Sequence, residues 1–318
     1  MSSTTLPARP AAAADPGRTA RPRPPSRRGR WVPYTFVAPA MLVLLTFAVL
    51  PIGVAAVVST TDMDIAGLAD PGAVRFVGLE NYTRLLGDPD FWRAMSTTAL
   101  LTVVGVPVIV VLSLGVALLL HRSGGRLARV LRSFYFLPAI TAIVAVALVW
   151  GYLFNSQFGL FNHLLGLVGL GPVPWLSDPG WARFSVGLVA VWRASGLNII
   201  IFLAALQAIP AEYDEAAQLD GAGEARRTWS ITVPLLRFAI FFVTITTVIA
   251  WLQFFDEPYV LTQGGPNGAT RSISLYLYEQ GFRHNQFGFA SAGSLVLFAV
   301  IGAVTWFQLR LRRGDDEH

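Results

Sequence analysis

The chain has 318 residues, of which 54% are hydrophobic and 14% charged, with a mean hydropathy of +0.55. Soluble domains carry about 25% charged residues, so this composition excludes an ordinary soluble globular protein. Cysteine is absent, which removes disulfides, thiolate nucleophiles and Cys-bound metals, and His121, His163, His284 and His318 are too far apart in sequence to suggest a His metal site. All 24 basic residues are Arg, and the net charge of +5 comes from segments that flank apolar stretches. That pattern suits a membrane surface, not the basic stripe of a nucleic-acid binder.

Residues 1–30 are rich in Pro, Ala and Arg with almost no large apolar side chain. They are expected to form a disordered tail, leaving residues 31–318 as a membrane domain. A signal peptide is the competing reading. However, the uncharged stretch 31–61 is longer than the roughly 7–15 residues of a typical signal core, which predicts an uncleaved first span.

A hydrocarbon core of about 30 Å needs roughly 20 apolar residues as a helix. Six windows qualify: one within 31–61, then 94–120, 134–154, 184–207, 238–255 and 287–309. Pro39, Pro51, Pro107 and Pro138 fall in or near them, which neighbouring helices tolerate by re-satisfying the freed backbone groups. The predicted fold class is therefore all-α, a polytopic membrane protein with six transmembrane helices. No fixed-period repeat is visible.

Arginine sets the predicted orientation, because short cytoplasmic loops retain it. Seventeen arginines lie in the N-terminal tail, the second-to-third loop, the fourth-to-fifth loop and the C-terminus, against six (75, 84, 93, 183, 271 and 283) on the other side. Both termini are thus expected in the cytoplasm.

The fourth-to-fifth loop, 208–236, differs from the other inside loops, which are simply basic. Pro210 suits the first turn of a helix, and Glu212, Asp214 and Glu215 follow where the helix dipole favours carboxylates. The helix is expected to end near Asp220, because Gly221 can adopt the left-handed conformation. A second short helix is predicted over 222–231, with Pro234 limiting its continuation. Tyr213, Ala216, Ala217 and Leu219 would present a surface able to enter a partner's groove. An amphipathic helix on lipid would instead carry basic residues on its polar face, and this helix is acidic.

The spacing Glu215-Ala216-Ala217, Gly221, Ile231 and Val233-Pro234 resembles the EAA signature of permease subunits of bacterial and archaeal ATP-binding-cassette (ABC) importers. Val233 stands where Leu is usual, and Phe238 where sugar-type members often have a second Pro. The run 76–82 followed by Phe91-Trp92, the run 255–266, and the segments 276–282 and 288–292 resemble the carbohydrate branch, in particular the first of the two permeases of maltose- and lactose-type systems. The resemblance covers nearly everything after the tail.

What the resemblance implies is a type I ABC importer permease fold in the bacterial or archaeal plasma membrane. It also implies a heterodimer with a second permease subunit, an ATPase dimer that binds ATP in place of this chain, an extracytoplasmic solute-binding protein, and a sugar as substrate. No cofactor is expected in this chain. Glu215, Ala216, Ala217, Asp220, Gly221, Ile231 and Pro234 would then couple to the ATPase.

A sugar pathway needs aromatic faces and hydrogen-bonding groups turned to a cavity. The fourth span offers Trp192, Arg193, Ser195, Gly196 and Asn198, and the fifth Thr247, Trp251, Gln253, Asp256 and Tyr259. The family's contact positions fall near Arg193, Ala194, Leu197, Thr247, Trp251 and Phe254. Simple helix packing is the alternative for each, and for Arg193 a structural ion pair.

Nothing in the sequence points to catalysis. There is no phosphate-binding loop ending in Lys, and Asp256 and Glu257, adjacent in sequence, are expected to point to different sides of a helix, a poor acid–base pair. An ion-coupled secondary transporter would want a mid-membrane carboxylate or His relay, whereas Arg193 is the lone charge inside the windows. A purely structural scaffold would have no use for the acidic two-helix loop.

Overall fold

The computed structural model describes residues 32–122, 130, 134–135 and 137–315; the predicted tail, 1–30, lies outside them. Contacts divide the chain between Gly53 and Val54 into two units. The described part of the first is the apolar helix α1 (Tyr34–Val58), which runs on into the second unit and includes a π turn at Leu45–Val49.

Helices dominate the second unit: α2 (Glu80–Gly87), α3 (Pro89–Arg122), α4 (Ile143–Leu153), α5 (Leu160–Leu167), α6 (Pro179–Gln207), α7 (Ala211–Leu219), α8 (Glu224–Leu235) and α9 (Arg237–Leu252), α10 (Ile273–Tyr278) and α11 (Phe287–Asp315). Among the described residues the only β pairing is an isolated bridge between Thr61 and Phe76.

Four helices are long and apolar enough to cross a bilayer, in α1, α3, α6 and α11, and α8 with α9 forms a further pair bent by 64°. The third predicted window differs from the rest. Its described part is helical at 134–135 and 137–140 and again in α4, separated at Thr141-Ala142, where Ala142 turns to ψ 128° and the Thr141 hydroxyl donates to the Leu137 carbonyl at 2.7 Å. The 11 residues of α4 rise only about 16 Å, roughly half the hydrocarbon thickness. Outward faces are apolar: Val103 and Val111 on α3 are each 71% exposed, and Phe298 and Trp306 on α11 each 60%, an arrangement that suits lipid and not water.

The core lies between α3, α6 and α9, with α3 against α6 the most extensive helix pairing. One storey packs Leu101, Val106, Ile109, Val186, Ala190, Val248 and Trp251. The next, toward the 208–236 loop, packs Ala117, Leu120, Ile199, Phe202, Leu206, Leu236 and Val243. At the opposite end Leu85, Phe91, Ile273, Tyr276 and Phe289 join α2, α3, α10 and α11.

Small residues allow the close approaches that hold helices together in a bilayer. A Cβ on Gly105 would collide with the Trp251 ring, and one on Gly196 with the Tyr135 carbonyl oxygen. Asn162 organises the connection between α4 and α6: its amide donates to the carbonyls of Ser156 and Val173, while its oxygen accepts from the Val173 N–H and the Trp175 indole.

Candidate functional site

Two features of α6 and the segment after it carry the chemistry. Asp178 caps α6, its carboxylate accepting from the Gly180 and Trp181 N–H groups at 2.9 and 3.0 Å, with Pro179 in the first turn. Further along the same helix comes Arg193. The guanidinium donates through Nε to Glu257 Oε1 at 2.7 Å and through Nη2 to Asp256 Oδ2 at 3.1 Å. Asp256 and Glu257, expected to point to different sides of a helix, are both helical and yet converge on one guanidinium. α9 ends at Leu252, and the two carboxylates open a further short helical segment, 256–262, from whose first turn both reach the same cation.

A cavity of about 420 Å³ opens beside this cluster, lined by Arg193, Ala194, Leu197, Asn198, Thr247, Trp251, Phe254 and Glu257 among others. Asn198 Nδ2 donates to Thr247 Oγ1 at 3.3 Å. Trp251 lies flat on Phe254, ring centroids 5.3 Å apart at 7°, with its other edge against Gly105.

The remaining pathway candidates lie elsewhere. Gln253 is exposed and lines a separate cavity of about 630 Å³ with Ser274, Tyr278, Ser291 and Ser294. Tyr259 stacks on Phe255 at 5.1 Å and meets Tyr278 edge-on. Ser195 and Gly196 are buried; Ser195 Oγ donates to its own helix at the Val191 carbonyl, and Gly196 admits the Tyr135 backbone. The structure thus brings together Arg193, Asn198, Thr247, Trp251 and Asp256, and separates Ser195, Gly196, Gln253 and Tyr259 from them. Glu257, absent from the predicted site, is a central member. Its signal was the charge of Arg193 within an apolar window, which required a carboxylate at its own depth.

The second feature is the loop 208–236. Pro210 sits at the N-cap of α7, one place before the first turn, with Glu212 and Asp214 following. The helix closes in a Schellman motif: Ala222 N–H reaches the Ala217 carbonyl at 2.9 Å and Gly221 N–H the Gln218 carbonyl at 3.0 Å, with Asp220 as C-cap and Gly221 at φ 75°. α8 starts two residues later than predicted and runs to Leu235, past Ile231 and Pro234; a π turn at Thr228–Thr232 precedes the proline, and the sharp bend comes at Leu236.

Arg227 pairs with Asp214 at 2.5 Å, tying α8 to α7. Tyr213, Glu215 and Ala216 are exposed, as are Leu219 at 90% and Trp229 at 70%, but Ala217 is buried. The expected outward surface therefore loses Ala217 to internal packing and gains Trp229.

Residues 91–314 match the family described as binding-protein-dependent transport system inner membrane component. The chain belongs to this family of transport permeases. Among curated relatives, the lactose transport system permease of Rhizobium radiobacter is 34% identical over 284 residues, covering 88% of this chain and 93% of that protein. The trehalose/maltose transport system permease of Thermococcus litoralis is 35% identical over 281 residues, with 88% and 93% covered. The sulfoquinovosyl glycerol transport system permease of Agrobacterium fabrum is 33% identical over 280 residues, with 88% and 90% covered. The fold of this permease superposes on a chain of a bacterial alginate ABC transporter solved with an alginate pentasaccharide-bound periplasmic protein, with a TM-score of 0.76 at 22% identity and coverage of 90% and 95%. The architecture is that of a type I ABC importer permease.

Proposed function

We propose that the permease forms half of the translocation pathway of an ATP-driven sugar importer, taking its solute from an extracytoplasmic binding protein and its driving force from a separate ATPase dimer docked on the 208–236 loop. The observation that carries the reading is the exposed knob of α7 and α8, with Glu215 and Leu219 on its outside. It leads directly into the bent entry to α9, the helix that supplies Thr247 and Trp251 to the cavity. A push on the knob has a short, stiff route to the solute. A second permease subunit completes the pathway, the bent pair and the interrupted α4 each count as one span of six, and both termini lie in the cytoplasm, in keeping with the arginine distribution.

Sugar fits the cavity chemically. Trp251 and Phe254 supply an apolar wall, and Asn198, Thr247 and Arg193 supply convergent hydrogen-bonding groups. The curated relatives named above transport lactose, trehalose or maltose, and sulfoquinovosyl glycerol. A structural neighbour serves the import of the acidic polysaccharide alginate. Kinship therefore supports a glycoside as solute and leaves its charge open.

Purification of the tagged permease from its native membrane in mild detergent tests the assembly. Recovery of an ATPase, a second permease and a solute-binding protein is the expected result. Recovery of the chain alone, still moving solute in ATP-free vesicles, would overturn the reading.

A further inference from the structure

The cavity beside Arg193 carries an unusual charge arrangement. Among the described residues, Arg193 and Glu257 are the ionisable side chains that line it, and Asp256 grips the same guanidinium from a more exposed position. Glu257 is almost wholly buried, its side chain 3% exposed, and Arg193 is 28% exposed. One cation therefore faces two carboxylates, and the cluster as a whole is negative by one charge when all three are ionised.

That balance has consequences for any solute. An acidic saccharide seeking the guanidinium would have to displace a carboxylate already bonded to it. Displacing Glu257 would leave a buried charge without its partner, which is strongly unfavourable, and Asp256 would repel the incoming anion. An uncharged saccharide meets neither obstacle. Its hydroxyls can donate to the carboxylates in charge-assisted hydrogen bonds and accept from the remaining Arg193 N–H groups and the Asn198 amide, while its apolar face lies on Trp251.

We propose that Asp256 and Glu257 make this cavity selective for uncharged saccharides and repellent to acidic ones, with Arg193 held as a hydrogen-bond donor and not as an anion receptor. The inference rests on reading the cavity as part of the sugar pathway and specifies the substrate class for it.

The chain's lack of cysteine makes a direct test possible. Ala194 lines the cavity, and Val168, 71% exposed in a loop, serves as reference. Ala194→Cys and Val168→Cys, each in membranes holding the whole transporter, are labelled with anionic sulfonatoethyl, uncharged hydroxyethyl and cationic trimethylammonium-ethyl methanethiosulfonates, and modification is read by mass on the tagged chain. Relative to the reference, the cationic reagent should modify A194C on the order of tenfold faster than the anionic one, as repulsion from one nearby excess charge implies. D256N, on the more exposed partner, leaves the cluster neutral and should bring the ratio close to one, and D256N with E257Q, which leaves the Arg193 cation alone, should invert it in favour of the anionic reagent.

Equal rates for the three reagents at A194C would overturn the charge selection while leaving an aqueous pathway in place. A selective ratio that ignores both substitutions would overturn the assignment to Asp256 and Glu257. A194C inert to all three while V168C reacts would overturn the pathway reading itself, and the selectivity with it.

Discussion

Arg122, at the end of α3, pairs with Glu224 in the first turn of α8 at 2.5 Å and also donates to the Thr228 hydroxyl. The contact joins segments far apart in sequence and ties the loop that is proposed to meet the ATPase to the helix that packs most extensively on α6. Both side chains are well exposed, at 42% and 64%, so the pair adds less than about 1 kcal/mol to stability. Its effect lies in orientation: Arg227 with Asp214 fixes α7 on α8, and Arg122 with Glu224 fixes α8 on α3.

Charge reversal separates orientation from stability. R122E and E224R alone should each lower ATP-dependent uptake severalfold with little change in the thermal midpoint of the purified complex. The double variant R122E/E224R should recover most of the loss. A double variant no better than either single would show that the pair does not set the loop's position.

Gly221 stands at φ 75°, and a Cβ added there would meet nothing within 4 Å, so a substitution brings backbone strain and no clash. Gly221→Ala should cost about 1 kcal/mol in the elbow between α7 and α8 and reduce the ATPase recovered with the permease. Gly221→Asn should do less harm, since Asn tolerates the left-handed region. Membrane insertion should be unaltered in both. Normal ATPase recovery and uptake in Gly221→Ala would remove the elbow from the coupling account.

Gly105 lies under Trp251, and a methyl group there would run into the indole ring. Gly105→Ala should destabilise by roughly 1–3 kcal/mol, as overpacked cores do, and reduce uptake by displacing the cavity wall. Combining it with Trp251→Leu should restore thermal stability but not uptake. Restoration of both would mean that Trp251 serves only packing.

Tyr276 is wholly buried and donates its hydroxyl to Asp88 Oδ2 at 2.5 Å, joining α10 to the start of α3 at the end remote from the 208–236 loop. Tyr276→Phe should lower stability by about 1–2 kcal/mol with uptake per folded molecule preserved. Burial first, and then the neighbouring Asp88, hold the phenol above its ordinary value of 10.0. A raised folded value means that the bond's contribution is complete below the ordinary value and fades only as pH climbs through the folded one. The stability gap between the native chain and Tyr276→Phe should accordingly be constant from about pH 6 to 9, and a gap that shrinks within that range would contradict the assignment.

The long apolar windows were legible because immersion in lipid demands length and the absence of charge, both of which composition displays. α3, α6 and α11 extend slightly beyond their predicted limits: Pro89 and Pro179 open two of them, a helix-start signal that a hydropathy window ignores. The left-handed elbow at Gly221 was legible for the same kind of local reason. The third window was legible only as a stretch, since apolarity at 134–154 does not reveal the break at Thr141-Ala142 that interrupts it. The pairing of Arg193 with Glu257 was hidden because it spans 64 positions and depends on α9 ending before Asp256, which no local signal marks. Likewise, Gly196 and Ser195 resembled pathway residues by type, while their burial depends on Tyr135 and α3, visible only in three dimensions.

Solute uptake into energised vesicles, driven by ATP and challenged with a proton uncoupler, tests the central claim most directly. The vesicles would carry the whole assembly, and the sugar would be the one held by the co-purified binding protein. The account predicts uptake that requires ATP, survives the uncoupler, and is lost in a Glu215→Arg variant that still inserts and assembles its own helices. Uptake that continues without ATP and collapses with the ion gradient would contradict it.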